Sequence, residues 1–393
     1  MKAVEIKKDV WWVGVKDWNL TEFHGYSTPH GSTYNSYLLM DDKITLVDGV
    51  KHYMSDENIC RIKSLIDFSQ LEYVVVNHVE MDHSGNIPEI MKLAPQAKIV
   101  TNLMGKRALE DHFDTEGWEY IIVKTGDTLN IGKRTLEFVT TPMLHWPDSM
   151  MTYVKEDKLL LSNDGFGQHY ACDALLVKDA PWDIVLREAQ SYYANILFPY
   201  GAQAEKALNT AGDLGLEIEM IAPSHGCIWS GEKEVNTILG LYAKWASGTN
   251  EGKAVVVYDT MWGATATLAE AVMSVFQDAG IPVVKHCLSI KNVSEVMVDF
   301  LDAKYICIGS PTLNNELFPR VAGFVTYMKG LAPKNKKGFA FGSYGWKPGI
   351  TKKIQEVFES LGWETTEPFE EKYTPKCDAV EKIKERVRQM IAE

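Results

Sequence analysis

Residues 77–83 read Asn-His-Val-Glu-Met-Asp-His, and Ser84 and Gly85 follow at once. Four of these side chains, His78, Glu80, Asp82 and His83, carry lone pairs able to hold a metal ion. The run comes straight after the apolar stretch Leu71-Glu-Tyr-Val-Val-Val76, which reads as a β-strand. Along an extended or loop backbone alternate residues point the same way, so His78, Glu80 and Asp82 are expected to converge while His83 turns to the other side. That geometry suits two adjacent metals. Gly85 is expected to let the chain turn tightly into a helix near 87–91. Taken alone, the HxExDH pattern leaves a solvated turn open as the alternative.

Three later segments weigh against the solvated turn. Thr141-Pro-Met-Leu-His145-Trp-Pro-Asp148 puts a histidine in a loop after a strand, and Leu159-Leu-Leu-Ser-Asn-Asp164-Gly-Phe-Gly167 ends a strand in an acid followed by two glycines. Ile221-Ala-Pro-Ser-His225-Gly226 ends another in histidine and glycine. Any one such residue is ordinarily structural; all three with HxExDH in one domain point to a dinuclear metal site.

Around these segments, from Val10 to about residue 245, short β-like runs alternate with frequent turns: 37–40, the Asp41-Asp42 turn, 44–47, 71–76 and 98–101. Runs at 121–123, 135–139, 151–154 and 158–161 are expected to form a second sheet, with helices outside both. The polar segment 244–253, Lys-Trp-Ala-Ser-Gly-Thr-Asn-Glu-Gly-Lys, separates this domain from one of different rhythm, so we expect domains at 1–248 and 249–393. In the second, five strands (254–258, 282–287, 304–308, 337–341 and a short one near Glu364) alternate with five helices (267–279, 293–301, 322–329, 350–361 and 378–391). That alternation predicts an α/β domain with a doubly wound, flavodoxin-like parallel sheet.

The first strand of that domain runs into Asp259 and then Thr260-Met261-Trp262-Gly263-Ala264-Thr265. Backbone N–H groups of a first β-to-α loop and its helix N-terminus cradle phosphate, and Thr260 and Thr265 add hydroxyls. The loop has no Lys or Arg, and GxxxxGK[ST] is absent, which fits a mononucleotide phosphate and excludes an ATPase. The third strand ends Gly309-Ser310-Pro311-Thr312-Leu313-Asn314-Asn315 and the fourth Gly342-Ser343-Tyr344-Gly345-Trp346, beside the first loop at the ligand-binding edge of such a sheet. Small residues allow close approach to a flat ring, which Trp262 or Trp346 could cover. Each loop alone could be turn chemistry; together they favour FMN.

With both constellations in place, the sequence resembles the metallo-β-lactamase fold and, within it, the flavodiiron proteins (A-type flavoproteins), from Trp18-Asn19 to the last helix. Typical hydrolases of the fold carry HxHxDH; here Glu80 occupies the second histidine position, an exchange that flavodiiron proteins share. A hard carboxylate in place of an imidazole moves the site from zinc towards iron. The resemblance implies an N-terminal αββα sandwich followed by the flavodoxin-like domain. It implies that His78, Glu80 and His145 bind one iron, that Asp82, His83 and His225 bind the other, and that Asp164 bridges them. His24 and Tyr26 resemble positions near that site that could donate a hydrogen bond or a proton, or be ordinary packing residues. Ala264 departs from the serine frequent in relatives.

The implied activity is reduction of O2 to water, of NO to N2O, or both, with electrons delivered through FMN. Reducing O2 takes four electrons, which two ferrous ions and one reduced flavin hold. A metallo-β-lactamase-fold hydrolase with an appended flavodoxin-like domain is the enzyme alternative, opposed by Glu80 and by Trp146 beside His145. A non-catalytic flavin electron carrier is the other, opposed by a complete ligand set.

The composition agrees with these readings. A chain of 393 residues is long for one core, and its net charge of −13 disfavours nucleic acid and anionic membrane surfaces. No signal-peptide pattern and no apolar stretch of about 18 residues is present, so we expect a cytoplasmic protein. Six cysteines without a CxxC read as mostly buried, inert thiols. No fused rubredoxin or flavin reductase follows the fifth helix, so a separate donor is expected, rubredoxin first and a deazaflavin second. The expected assembly is a head-to-tail homodimer, or a tetramer.

Overall fold

The computed structural model describes residues 2–392. By contact density the chain divides into two compact units, one formed by 1–192 and 200–243, the other by 193–199 and 244–393. The division falls inside helix Glu232–Ser247, and the π-helical and 3-10 turns at 193–199 group with the second unit.

In the first unit two mixed sheets stack. The seven-stranded sheet runs, edge to edge, Val4–Lys7, Val10–Trp12, Tyr37–Leu39, Ile44–Val47, Leu71–Val75, Lys98–Thr101 and Glu119–Ile122. The six-stranded sheet runs Thr128–Asn130, Thr135–Thr140, Met150–Val154, Leu159–Asn163, Met220–Pro223 and Trp229–Ser230. Strand periodicity assigns the two faces. Leu39, Val47, Tyr73 and Val75 meet Phe138, Val154 and Leu161 of the other sheet in one cluster. Their neighbours Leu38, Leu46 and Val74 point outward onto Ile62, Ile87, Ile90 and Leu109 from the covering helices. Because both faces of the first sheet are covered, Leu71–Val76 reads as an almost unbroken apolar run. The expectation that residues 121–123 start the second sheet is corrected: Glu119–Ile122 pairs in parallel with Lys98–Thr101 as the edge of the first.

The second unit is a parallel five-stranded sheet in the order Val283–Cys287, Lys253–Tyr258, Ala303–Leu313, Lys337–Tyr344 and Glu364–Lys372. Helices Ala264–Asp278 and Cys377–Ala392 pack on Ala254, Val256, Cys307 and Phe339 in one core cluster. The last strand is longer than the short one expected near Glu364. Most of its residues are half-buried, and the charges in Glu-Pro-Phe-Glu-Glu-Lys hide the strand from hydropathy. Asn314 and Asn315, at φ 51° and 62°, form a tight turn that folds the third strand back onto Glu316–Leu317.

Candidate metal centre and flavin cleft

The metal-binding candidates lie on loops that follow strands of both stacked sheets. Asp48, buried after strand Ile44–Val47, accepts hydrogen bonds from the Asn77 backbone (2.7 Å), the Asn77 amide (3.0 Å) and the Asn163 amide (3.1 Å). It thereby ties the loop before His78 to the loop before Asp164. His24, Asp48, Met143, Asn163 and Phe166 all have positive φ, so non-glycine residues in a costly backbone conformation gather around this centre.

Residues 81–84 do not continue the extended backbone. They form one helical turn, Met81–Ser84, in which successive side chains are about 100° apart rather than opposed. Asp82 therefore falls with His83, and the expectation that His83 points away from Asp82 is overturned. Gly85 does not supply a special dihedral either: its φ is −58°, and a Cβ there would lie 2.4 Å from the Met81 carbonyl oxygen. Close packing, not a tight turn, selects glycine.

Two donor sets result. Ligand atoms of His78, Glu80, His145 and Asp164 lie within 4.8 Å of one another, as do those of Asp82, His83 and His225. Asp164 stands between them. Its Oδ2 is 3.1 Å from His145 Nε2 and 3.6 Å from His78 Nε2, while Oδ1 is 2.9 Å from His83 Nε2 and 3.3 Å from His225 Nε2. His78 Nε2, both oxygens of Asp82, both ring nitrogens of His83 and Asp164 Oδ1 are buried without a hydrogen-bond partner. Such a concentration of orphaned donor atoms fits cations, and an all-imidazole and carboxylate set fits iron better than a thiolate-preferring metal.

The imidazoles are oriented from behind. His78 Nδ1 donates to Asp148 Oδ2 at 2.9 Å, and His225 Nδ1 donates to the Thr33 carbonyl at 2.7 Å, leaving Nε2 of each facing the carboxylates. Asp148→Asn, which weakens that acceptor while keeping its volume, is expected to lower metal affinity about 10–100-fold; competition with a calibrated chelator measures it. Gly226 (φ 81°) sits where a Cβ would be 2.2 Å from Gln168 Oε1 and 2.5 Å from the Gln168 carbonyl. Gly226→Ala is expected to cost about 1–3 kcal/mol and lower the thermal midpoint of the first unit.

Electrostatics couple the set. Burial alone would push the imidazole pKa values down, but Asp164 and Glu80 hold His145 up at about 9, and Asp164 and Asp82 hold His225 up at about 10. Burial would raise the Asp164 carboxyl, yet His83, His145 and His225 draw it well below the usual range. With no metal bound these histidines are charged at pH 7, so a cation must displace their protons. Iron(II) uptake is expected to release protons in weakly buffered solution at pH 7, and apparent affinity is expected to fall as pH is lowered. A pH indicator dye reads the first and a chelator titration the second.

His24, an exposed side chain, sets Nε2 2.8 Å from Glu80 Oε1 at the edge of the cluster. Tyr26 is buried and bonds its hydroxyl to His169 Nε2. His169 also contacts Ser32 Oγ (2.7 Å), and its ring lies tilted 4.7 Å from that of His225. Sequence reasoning passed over His169 and Asp148. Asp148 was visible as the acid three residues past His145; Gln168-His169 carried no signal.

In the second unit a cleft of about 600 Å³ opens at the carboxyl edge of the sheet. Thr260, Met261, Trp262, Ala264, the run Pro311 to Asn315, and Ser343 to Trp346 line it, together with Lys347, Tyr373 and Thr374. Gly263, Thr265 and Ser310 stand behind the lining. Gly263 (φ 86°) precedes the first turn of helix Ala264–Asp278 and donates its N–H to Thr260 Oγ1 at 3.1 Å. Thr265 Oγ1 pairs with Ser343 Oγ at 2.9 Å, and Ser310 Oγ bonds the Pro311 carbonyl (2.9 Å) and the Phe318 N–H (3.0 Å). Thr312 Oγ1 is a buried hydroxyl without a partner in the cleft wall, and with the helix N-terminus it fits a ligand carrying both a polar ring edge and a phosphate. Tyr373 was missed because its place depends on the unexpected length of the last strand; its N–H donates to the Tyr344 carbonyl at 2.7 Å.

Comparisons with known proteins agree with this geometry. The family described as ODP family beta lactamase matches residues 33–226, and the flavodoxin family matches 256–386. A nitric oxide reductase of Moorella thermoacetica is 43% identical over 357 residues, spanning 90% of this chain and 89% of the relative. Among solved structures, rubredoxin oxygen:oxidoreductase from Desulfovibrio gigas superposes with a TM-score of 0.96 at 38% identity, covering 99% of each chain. The flavodiiron protein from Giardia intestinalis superposes at 0.95 with 33% identity, covering 100% of this chain and 97% of the other.

Proposed function

Since the chain belongs to the flavodiiron proteins, we propose that it is an oxidoreductase that reduces O2 to water, NO to N2O, or both, at a non-haem diiron site supplied with electrons through FMN. The observation that carries this reading is Asp164, one carboxylate with an oxygen turned to each of two histidine-containing donor sets. When bound, the two irons and the reduced flavin supply the electrons. The protein's own part is to hold, orient and shield. His78, Glu80 and His145 form one ligand set, Asp82, His83 and His225 the other, and Asp164 the bridge. Asp148 and the Thr33 carbonyl fix two of the imidazoles. The Trp146 ring, 5.1 Å from that of His78, and the Phe23 ring, 6.4 Å from that of His225, wall the centre with apolar surface. His24 keeps a proton on Nε2 towards Glu80, whose hydrogen bond raises its pKa against the opposing effect of burial. A proton held there stands at the edge of the site, where reduction consumes protons.

In the second unit the Thr260–Thr265 loop and the helix N-terminus hold the flavin phosphate, and the loops at 310–315 and 343–346 hold the ring. We assign 1–248 to the metal-holding domain and 249–393 to the flavin-holding domain. Trp262 is 95% exposed and Trp346 87% exposed at the cleft rim, a cost in water that a covering protein surface removes. A second copy of the chain, arranged head to tail, is the proposed cover, and dimers of such dimers the larger assembly. The proposed donor is a rubredoxin-type protein, with a deazaflavin as the competing reading. Among the described residues no helix is long and apolar enough to cross a membrane, and the acidic balance disfavours anionic lipid; we place the protein in the cytoplasm.

The test is expression under anaerobic, iron-replete conditions. A yellow, FMN-containing protein with iron is expected, turning over O2 or NO with reduced rubredoxin or reduced deazaflavin. Two zinc ions without iron, or a colourless protein that takes up no FMN, would refute the reading. Steady-state rates with each gas and each donor then fix the preference.

A further inference from the structure

The six cysteines are not mostly buried: Cys60 and Cys377 are exposed, Cys172 and Cys287 intermediate, and only Cys227 and Cys307 buried. Cys172 and Cys227, 55 positions apart, bring their sulfurs to 3.5 Å. No spacing motif announces the pair; it arises where the segment after His169 runs beside the segment after His225. Backbone bonds fix the two together, Val177 N–H to the Ile228 carbonyl and Ile228 N–H to the Leu175 carbonyl, both 2.9 Å. Cys172 is partly open to solvent, whereas Cys227 is 2% exposed and lies behind it.

We infer that Cys172 and Cys227 are a redox-active dithiol, a modification site at which a small-molecule disulfide is reduced while the two thiols join as an intramolecular disulfide. The accessible Cys172 thiolate attacks one sulfur of the small disulfide. Its S–S bond breaks, one thiolate leaves, and Cys172 carries the other half as a mixed disulfide. Cys227 then attacks Cys172 Sγ and expels the second small thiolate, which takes up the Cys227 proton as it leaves. The two protons lost by the protein end on the two released small thiols, and the electron pair passes from protein to oxidant.

The surroundings support these roles. Lys16 Nζ bonds the carbonyls of Cys172 (2.6 Å) and Asp173 (2.9 Å), fixing a cation beside the sulfur. The hydrogen bond from Cys227, opposed by burial and helped by Lys16, draws the Cys172 thiol down to about 7, which favours it as the attacking group. Bond formation would link the His225 loop covalently to the segment that follows His169.

The test uses the full-length protein with its metals and flavin, incubated anaerobically with excess oxidised glutathione and then denatured in acid. Thiol titration is expected to show two fewer free thiols per chain, and digestion a peptide pair joined through Cys172 and Cys227. In Cys172→Ser the loss of two thiols and the linked peptides should both disappear. In Cys227→Ala, Cys172 should stop at the glutathione adduct, seen as a mass increase on its peptide. An unchanged thiol count in the wild type, or oxidation confined to Cys60 and Cys377, would overturn the assignment. If Cys227→Ala fails to fold, the wild type and Cys172→Ser decide the matter between them.

Discussion

Replacing Asp164 by alanine is expected to reduce gas turnover by at least ~100-fold, more than loss of a supporting residue behind a ligand would cause. The reason is geometric. Asp164 Oδ1 and Oδ2 are the carboxylate oxygens nearest His83 and His145, at 2.9 and 3.1 Å. Alanine removes both at once, so each donor set loses an anionic oxygen and the two lose their common member. The metal-free protein suffers as well. His83, His145 and His225 owe part of their raised pKa values to Asp164, and taking away one partner of a buried charge network costs about 3–5 kcal/mol. The variant should therefore contain less than half the wild-type iron and unfold at lower temperature in its first unit. Flavin content and flavin reduction by the donor should be unchanged, because the loops proposed to hold FMN, 259–265, 310–315 and 342–346, lie in the other unit. Metal analysis, the flavin spectrum and turnover with each gas separate these effects. Near-wild-type turnover with full iron would mean that Asp164 is not the bridge. Glu80→Ala is expected to be similarly damaging. His24→Ala should be milder, because His24 stands outside the donor sets.

Mixing two inactive variants should restore activity. One carries Asp164→Ala. The other carries Gly263→Val, which places a β-branched residue at φ 86° and displaces the loop before helix Ala264–Asp278, so that FMN is not held. If the flavin of one chain serves the irons of its partner, a mixed dimer has its intact flavin on the first chain and its intact irons on the second, which makes one working pair. Random reassociation makes half of the dimers mixed, and each has one of two routes, so about a quarter of wild-type turnover is expected. The wild type taken through the same dissociation and reassociation is the control. Mixed dimers isolated by paired affinity tags that show no turnover would prove that each chain uses its own flavin. The exposed Trp262 and Trp346 give a second reading of the same arrangement. Trp346→Ala should weaken the proposed dimer in sedimentation, and, because Trp346 also lines the flavin cleft, flavin content is measured alongside.

The sequence by itself determined the chemistry: the residue types and their order. Histidine and carboxylate at strand ends with flanking glycine or proline, and three small-residue loops after parallel strands, are local signals. The backbone at a strand end has few ways to present such side chains. The short apolar runs at 37–40 and 44–47, and the strand–helix rhythm after residue 253, are local for the same reason. They carried over to the sheets with shifts of a few residues at the ends.

What only tertiary structure decided is whatever depends on neighbours distant in the chain. Asp82 joins His83 because 81–84 close into a helical turn packed against residues 50–52, where a Cβ on Gly85 would meet the His52 amide at 2.8 Å. Strand Glu119–Ile122 goes to the first sheet because its parallel partner Lys98–Thr101 was free on one side, a choice that alternation within four residues cannot express. His169, Asp148 and the Cys172–Cys227 pair acquire their neighbours only when segments dozens of residues apart are brought together by sheet pairing. Local periodicity reports which way a side chain faces, not which distant side chain it will meet.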